Sequence, residues 1–167
     1  MRGAQAHLAG GKEFVFVRRV ISRPRDEYED HEPVSVAEFQ AREQRGEFAL
    51  SWRAHDTCYG VPIGIEADIA AGATVICNAS RTIIAAARQR YPSVRVIEIT
   101  APPEVLAERL ARRGRETPTG QNARLTRQVE RPSDDAGDVR IENKGAIETG
   151  VALFLAALGC RGDFRAA

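Results

Sequence analysis

Arginines dominate the chemistry available to this sequence. Arg18, Arg19 and Arg23 fall within one stretch, Arg18-Arg19-Val20-Ile21-Ser22-Arg23-Pro24. A guanidinium grips a phosphate through parallel N–H donors. On an extended chain Arg19 and Arg23 are an even number of residues apart and share a face. Two such groups converging on one point fit an anionic ligand. Arg18 reads as a solvated strand end, whereas Arg23, held by Pro24 at a loop entrance, reads as a phosphate ligand. Tyr59 before Gly60 offers a phenol with room for close approach; a half-buried strand tyrosine fits the same residues. His31 follows Glu29-Asp30, where a solvated loop histidine is the simpler reading.

A second basic group comprises Arg109, Arg112, Arg113, Arg115, Arg124 and Arg127, around Gly114 to Gly120. Arg109 and Arg113 share a helix face at i and i+4. Such charge density repels itself without an anion between the groups. Phosphoryl transfer needs positive charge around the oxygens of the moving group, and a lid can supply it. An exposed basic or RNA-binding helix pair is the alternative, weakened by the lack of interleaved aromatics.

The elements that must position these groups follow from periodicity. Residues 4–9 read as the end of a helix stopped by Gly10-Gly11. Phe14 to Ile21 reads as one strand. Residues 22–34 form a loop, and Ser35-Val36-Ala37-Glu38 is a capping box opening a helix to Gln44. Phe48–Trp52 and Thr57–Val61 suggest a hairpin. Pro62 suits the first turn of a helix ending near Gly72. Strands at Thr74–Asn78, Val94–Ile99 and Val139–Glu142 alternate with helices at 80–90, from Ala101-Pro102-Pro103-Glu104 to Gly114, near 121–130 and at 146–158. That alternation predicts α/β architecture with a parallel sheet. Ligands in such sheets bind beyond the carboxyl ends of strands. Ser22-Arg23, Asn78-Ala79-Ser80-Arg81 and Asn143-Lys144-Gly145 all fall at those ends.

The chain has 167 residues, 43% hydrophobic, with a net charge of +1. This fits one folded domain, expected at 1–160 with a tail at 161–167. Lys12 and Lys144 are the only lysines; coding bias accounts for most surface arginines. Near-neutrality argues against nucleic acid as a partner. Cys58, Cys77 and Cys160 lack metal spacing and read as reduced thiols, with Cys77 in an apolar run. No transmembrane or signal segment is evident, which predicts no membrane association and a cytoplasmic protein.

Taken in order, Arg19-Val20-Ile21-Ser22-Arg23-Pro24, Glu29-Asp30-His31-Glu32, Ala49-Leu50-Ser51-Trp52, Tyr59-Gly60-Val61, Asn78-Ala79-Ser80-Arg81 and Arg113-Gly114-Arg115-Glu116 resemble the guanylate-kinase-like P-loop kinases. They resemble more closely the ribose 1,5-bisphosphate phosphokinases of phosphonate catabolism. The resemblance runs from about Leu8 to Leu158. It implies ATP and Mg²⁺, a sugar-phosphate acceptor, and 5-phosphoribosyl 1-diphosphate as product. It places Arg19, Arg23, His31, Tyr59, Ser80 and Arg81 at the acceptor. Arg113, Arg115 and Arg124 fall in a lid at about 112–127, and Asn143 near the nucleotide base. Leu50 falls where guanylate kinases place a guanine-reading glutamate, and Asp26 where they place a second arginine. Leu50 argues against GMP, because guanine N–H groups need a carboxylate.

No GxxxxGK[ST] string occurs in the 167 residues, and Lys12 precedes a strand, so it cannot serve as that motif's lysine. The resemblance starts inside the helix that follows the P-loop. The expectations are a chain that turns over poorly as given, with sheet edges open to a homodimer, or a longer protein with an upstream start. Two other functions stay open: a guanylate-kinase-type nucleoside monophosphate kinase, and a non-catalytic phosphate-binding module.

Overall fold

A computed structural model describes residues 2–8, 13–26, 29–54, 56–105 and 138–159. The chain divides into two compact units. One is built from residues 8–94; the other joins the N-terminal helix to the segment after residue 94.

The first unit contains two sheets. β1 (Phe14–Phe16) pairs in parallel with β6 (Thr74–Ile76). The chain then crosses to a four-stranded sheet ordered β3-β2-β5-β4, formed by β2 (Val20–Ile21), β3 (Glu32–Pro33), β4 (Phe48–Ala54) and β5 (Thr57–Pro62). The single strand expected over Phe14–Ile21 is therefore two. Val17 still donates its N–H to the Ile76 carbonyl at 2.9 Å, but Val20 pairs with Gly60. Val17–Arg19 is the crossing between sheets, and it carries the buried Arg19 side chain.

β4 and β5 form the expected hairpin; its connection spans two residues, so only antiparallel pairing can close it. Asp56 in that turn has φ 60°, a left-handed conformation that Asp tolerates. Pro62 does not open the next helix. It ends β5 opposite Phe48, a strand end where its missing N–H costs little. The helix α3 (Ile65–Ala70) starts later and stops before Gly72, whose φ of 85° suits glycine alone.

The helix α2 (Val36–Gln44) starts as its capping box dictates: the Ser35 hydroxyl accepts from the Glu38 N–H at 3.1 Å. It buries Phe39 completely, stacked on Phe48 at 4.6 Å between centroids. Val20, Phe39 and Cys58 form this core, and Ala49, Trp52, Val61, Ile65 and Ile83 form another. Cys58 and Tyr59 point to opposite faces of β5, as the alternation of a strand requires. After β6, a 3₁₀ turn (Arg81–Ile83) leads into α4 (Ile84–Arg90).

In the second unit, β7 (Ile97–Thr100) and β8 (Val139–Glu142) pair in parallel. α1 (Arg2–His7) packs on α5 (Ile147–Ala157), and a Cβ on Gly3 would lie 2.7 Å from Val151 Cγ2. The helix expected to open at Ala101-Pro102-Pro103-Glu104 and close at Gly114 begins at Pro103. Its continuation and the helix expected near 121–130 lie outside the described residues.

Gly60 has a packing role rather than the ligand-approach role expected for it. A Cβ there would meet the Phe48 ring at 2.7 Å. Gly60→Ala should destabilise the chain by about 1–3 kcal/mol through overpacking, read as a lower urea midpoint. Phe48→Leu in the same chain should make the two losses less than additive; strict additivity would show that the two residues do not meet.

Candidate active site

Val20↔Gly60 and Ile21↔Tyr59 pairing brings Tyr59 beside the start of the loop that follows β2. Ser22 anchors that start: its N–H donates to the Cys58 carbonyl at 3.0 Å, and its hydroxyl accepts from the Cys58 N–H at 2.8 Å. Trp52 lies directly across the hairpin from Tyr59. Their rings stack at 5.3 Å with a 6° interplanar angle, the contact a direct cross-strand pair favours.

Arg19 lies over this shelf, its guanidinium carbon 5.5 Å from the Trp52 ring and 5.3 Å from the Tyr59 ring. Only 6% of Arg19 is exposed. Aromatic faces attract a cation but accept no strong hydrogen bond. The hydrogen bonds come from Glu29, whose Oε1 accepts from Arg19 Nε at 3.0 Å and also from its terminal NH2 group. Glu29 Oε2 lies 3.3 Å from a terminal nitrogen of Arg23. Arg23 also donates to Asp26. Burial opposes the Arg23 charge, but the Asp26 hydrogen bond and charge, with Tyr59 and Glu29 behind them, outweigh it and raise the pKa further above the usual guanidinium range.

Arg19 and Arg23 thus converge as expected, but on an internal carboxylate and not along one strand. Arg18 stays outside, half exposed and 3.3 Å from Asp30, as its reading as a solvated group anticipates. His31 is neither solvated nor presented to a ligand: it is fully buried. Its Nδ1 lies 3.3 Å from the Glu29 carbonyl and its Nε2 3.2 Å from the Arg23 carbonyl. A neutral imidazole donates to only one of these at a time. The ring sits between the two ends of the arginine-bearing loop and fastens one or the other, which is a positioning role. Its main chain serves too, since its carbonyl accepts from Arg25 Nε at 3.0 Å.

Ser80 caps the 3₁₀ turn, its oxygen accepting from the Thr82 N–H at 3.4 Å and the Thr82 hydroxyl at 3.0 Å. Arg81 is exposed on the first residue of that turn. Cys77 stands close enough to feel both Arg19 and Glu29. Burial pushes its thiol up to about 11; Arg19 pulls it down and Glu29 raises it.

Leu50 lines an open cavity of about 300 Å³ together with Ala49, Ser51, Ile83, Ala86, Gln89 and Arg90. None of these residues is acidic. The Ser51 hydroxyl is already committed to Glu43 at 2.7 Å.

In the other unit, Asn143 follows β8 and its N–H donates to the Thr100 carbonyl at 2.7 Å. The Asn143 Oδ1 and Thr100 Oγ1 atoms are buried without a hydrogen-bond partner among the described residues. Arg113, Arg115 and Arg124 lie outside the described residues. No group of three His, Cys, Asp or Glu side chains among the described residues could hold a metal ion. No described helix is long and apolar enough to cross a membrane.

No family model matches the chain. It is 45% identical over 163 residues to the ribose 1,5-bisphosphate phosphokinase PhnN of Acidiphilium cryptum, covering 96% of this chain and 87% of that protein. The chain belongs to the ribose 1,5-bisphosphate phosphokinase family. The enzyme of the same name from Methylobacterium radiotolerans is 40% identical over 95% of this chain and 88% of its own. A bifunctional ribose 1,5-bisphosphokinase-thymidine phosphorylase from Cupriavidus pinatubonensis is 41% identical over 93% of this chain but only 26% of its own length. A solved guanylate kinase from Anaplasma phagocytophilum superposes with a TM-score of 0.70 at 20% identity, covering 98% of this chain and 84% of that one. The fold is therefore the α/β architecture of that kinase class.

Sequence reasoning missed Glu29, Asp26 and Trp52. A signal for the acids was present: two arginines that converge on one point repel each other unless an anion lies between them. His31→Ala should cost roughly 3 kcal/mol, from one lost hydrogen bond to a loop carbonyl and a cavity; a thermal melt unchanged from wild type would remove His31 from the loop's support. Cys77 should alkylate at pH 8 about 100-fold more slowly than a free thiol, because only the thiolate reacts, and accelerate as pH rises towards 11. Peptide mass mapping after timed iodoacetamide treatment reads both.

Proposed function

We propose that this chain transfers the γ-phosphoryl group of ATP to the 1-phosphate of ribose 1,5-bisphosphate, giving 5-phosphoribosyl 1-diphosphate and ADP. Family membership supports the reaction class. The observation that carries the acceptor assignment is the convergence of Arg19 and Arg23 beside Tyr59. Two guanidiniums with a phenol within electrostatic reach form a seat for one phosphate end of a sugar bisphosphate. Ser80 and Arg81 are assigned to the same acceptor. His31 supports the loop and does not touch the substrate.

In the proposed reaction, an oxygen of the acceptor's 1-phosphate attacks the γ-phosphorus of ATP. A P–O bond forms to that oxygen while the bond to the β,γ-bridging oxygen breaks, and ADP leaves with the electron pair. The acceptor is already an anion, so no general base is required; positioning and charge neutralisation carry the rate. Arg113, Arg115 and Arg124 are assigned by sequence to neutralise charge on the moving group. The buried Asn143 Oδ1, lacking a partner among the described residues, suits a donor such as an amino group on the nucleotide base. Mg²⁺, when bound, would neutralise charge on the ATP phosphates.

The acidic residue that would read guanine is absent from the lining of the Leu50 cavity, which favours a base-free acceptor over GMP. A coupled ADP-release assay should show faster turnover with ribose 1,5-bisphosphate than with GMP. It is to be run on the 167-residue chain and on any longer in-frame product of its gene. Faster turnover of GMP would reverse the assignment. In whichever form is active, Arg113→Ala should reduce kcat by 10-fold or more, the scale of losing one transition-state donor. An unchanged kcat would take Arg113 out of the mechanism.

A further inference from the structure

We propose that Glu29 is a specificity-determining residue of the acceptor site: its carboxylate occupies the phosphate seat between Arg19 and Arg23 until a dianionic phosphate displaces it. The inference rests on the assignment of those two arginines to the acceptor.

One carboxylate spans both guanidiniums. Oε1 takes Nε of Arg19 at 3.0 Å and its NH2 group, while Oε2 lies 3.3 Å from Arg23. Two oxygens fixed on one atom and shared between two forks is the geometry that a phosphate also presents. The side chain of Arg19 is 8% exposed, and its remaining neighbours include the faces of Trp52 and Tyr59. Its charge therefore needs an anion whether or not a ligand is bound. Glu29 supplies that anion in the free protein.

The exchange needs no movement of the main chain. The His31 ring lies between the carbonyls of Glu29 and Arg23, within hydrogen-bond reach of each, and Asp26 Oδ1 accepts from the Glu29 N–H at 3.1 Å. Rotation of the Glu29 side chain alone would vacate the seat. The side chain is 24% exposed, so it has solvent to turn into.

Selectivity follows from competition. A carboxylate or halide offers these arginines nothing that the tethered Glu29 does not already provide, and Glu29 acts at the advantage of an intramolecular group. A phosphate dianion brings more charge and a third acceptor oxygen. The seat therefore stays closed to weak anions and opens to a phosphate end.

Calorimetric titration of inorganic phosphate into wild type, Glu29→Gln and Glu29→Asp tests this without reading catalysis. The Gln variant should bind phosphate about 10-fold more tightly than wild type, having lost the charged competitor, and should also gain measurable acetate binding. The Asp variant keeps the charge on a shorter side chain and should fall between wild type and the Gln variant. Equal or weaker phosphate binding by Glu29→Gln overturns the inference. The wild type gives a second reading, valid even if the Gln variant does not fold. The ¹³C carboxyl resonance of Glu29, assigned by its loss in Glu29→Asp, should move as phosphate saturates. Saturation with that resonance unmoved overturns the inference and leaves the proposed function standing. No phosphate binding by any folded form removes the arginine seat itself, and both readings with it.

Discussion

A guanidinium cannot be buried alone. Removing one partner of a buried ion pair costs about 3–5 kcal/mol, and Arg19 is buried at 6% exposure. Much of the first unit is arranged to satisfy that charge. The hairpin β4–β5 places Trp52 opposite Tyr59 to form a flat shelf. The loop after β2 returns to bring Glu29 against the charge. β3 pairs in parallel with β2, with Val20 opposite Glu32 and Ile21 opposite Pro33, and that pairing fixes where the loop must return. The full burial of His31 between two main-chain carbonyls is part of the same arrangement.

The consequence is a preorganised cationic site that is neutralised at rest. Glu29 and Asp26 balance Arg19 and Arg23, so the loop folds without strong self-repulsion. An exposed pair of arginines would need no such balance, because surface charges are solvated and screened. Arg18 shows the contrast. Its side chain is 47% exposed, and it makes only a 3.3 Å pairing with Asp30 and a 3.4 Å hydrogen bond to the His31 carbonyl among the described residues. Burial decides which arginines organise structure and which only decorate it.

The site also explains features at a distance from it. Gly60 lies next to Tyr59, and its lack of a side chain lets Phe48 pack over β5. Phe48 in turn stacks on Phe39 of α2, and Arg42 lies 5.4 Å from the Phe48 ring centre while pairing with Glu32 of β3. A chain of contacts thus links the capped helix α2 to the strand that closes the arginine loop. Cys77 is held protonated by burial in this neighbourhood, which keeps a nucleophilic thiolate away from the arginine pair at neutral pH.

Local chemistry made several elements legible in the sequence. The Ser35–Glu38 capping box, the β4–β5 hairpin, the stop at Gly72 and the β8 strand all depend on neighbours within a few residues. So did the candidates Arg19, Arg23 and Tyr59, because bidentate donors and a phenol declare their chemistry by type alone. The ordered strings around them carried the family, which the relatives at 40–45% identity bear out. What the sequence could not show was how charges are shared across space. The break at Val17–Arg19, the stacking of Trp52 on Tyr59, the burial of His31 and the claim of Glu29 on both arginines each depend on which strand pairs with which. A strand's pairing partner is a long-range choice, and a solvated acid and a buried counter-ion look alike until that choice is made. The candidate arginines were therefore legible in the sequence, and the carboxylate that pairs with both of them was decided by the tertiary fold.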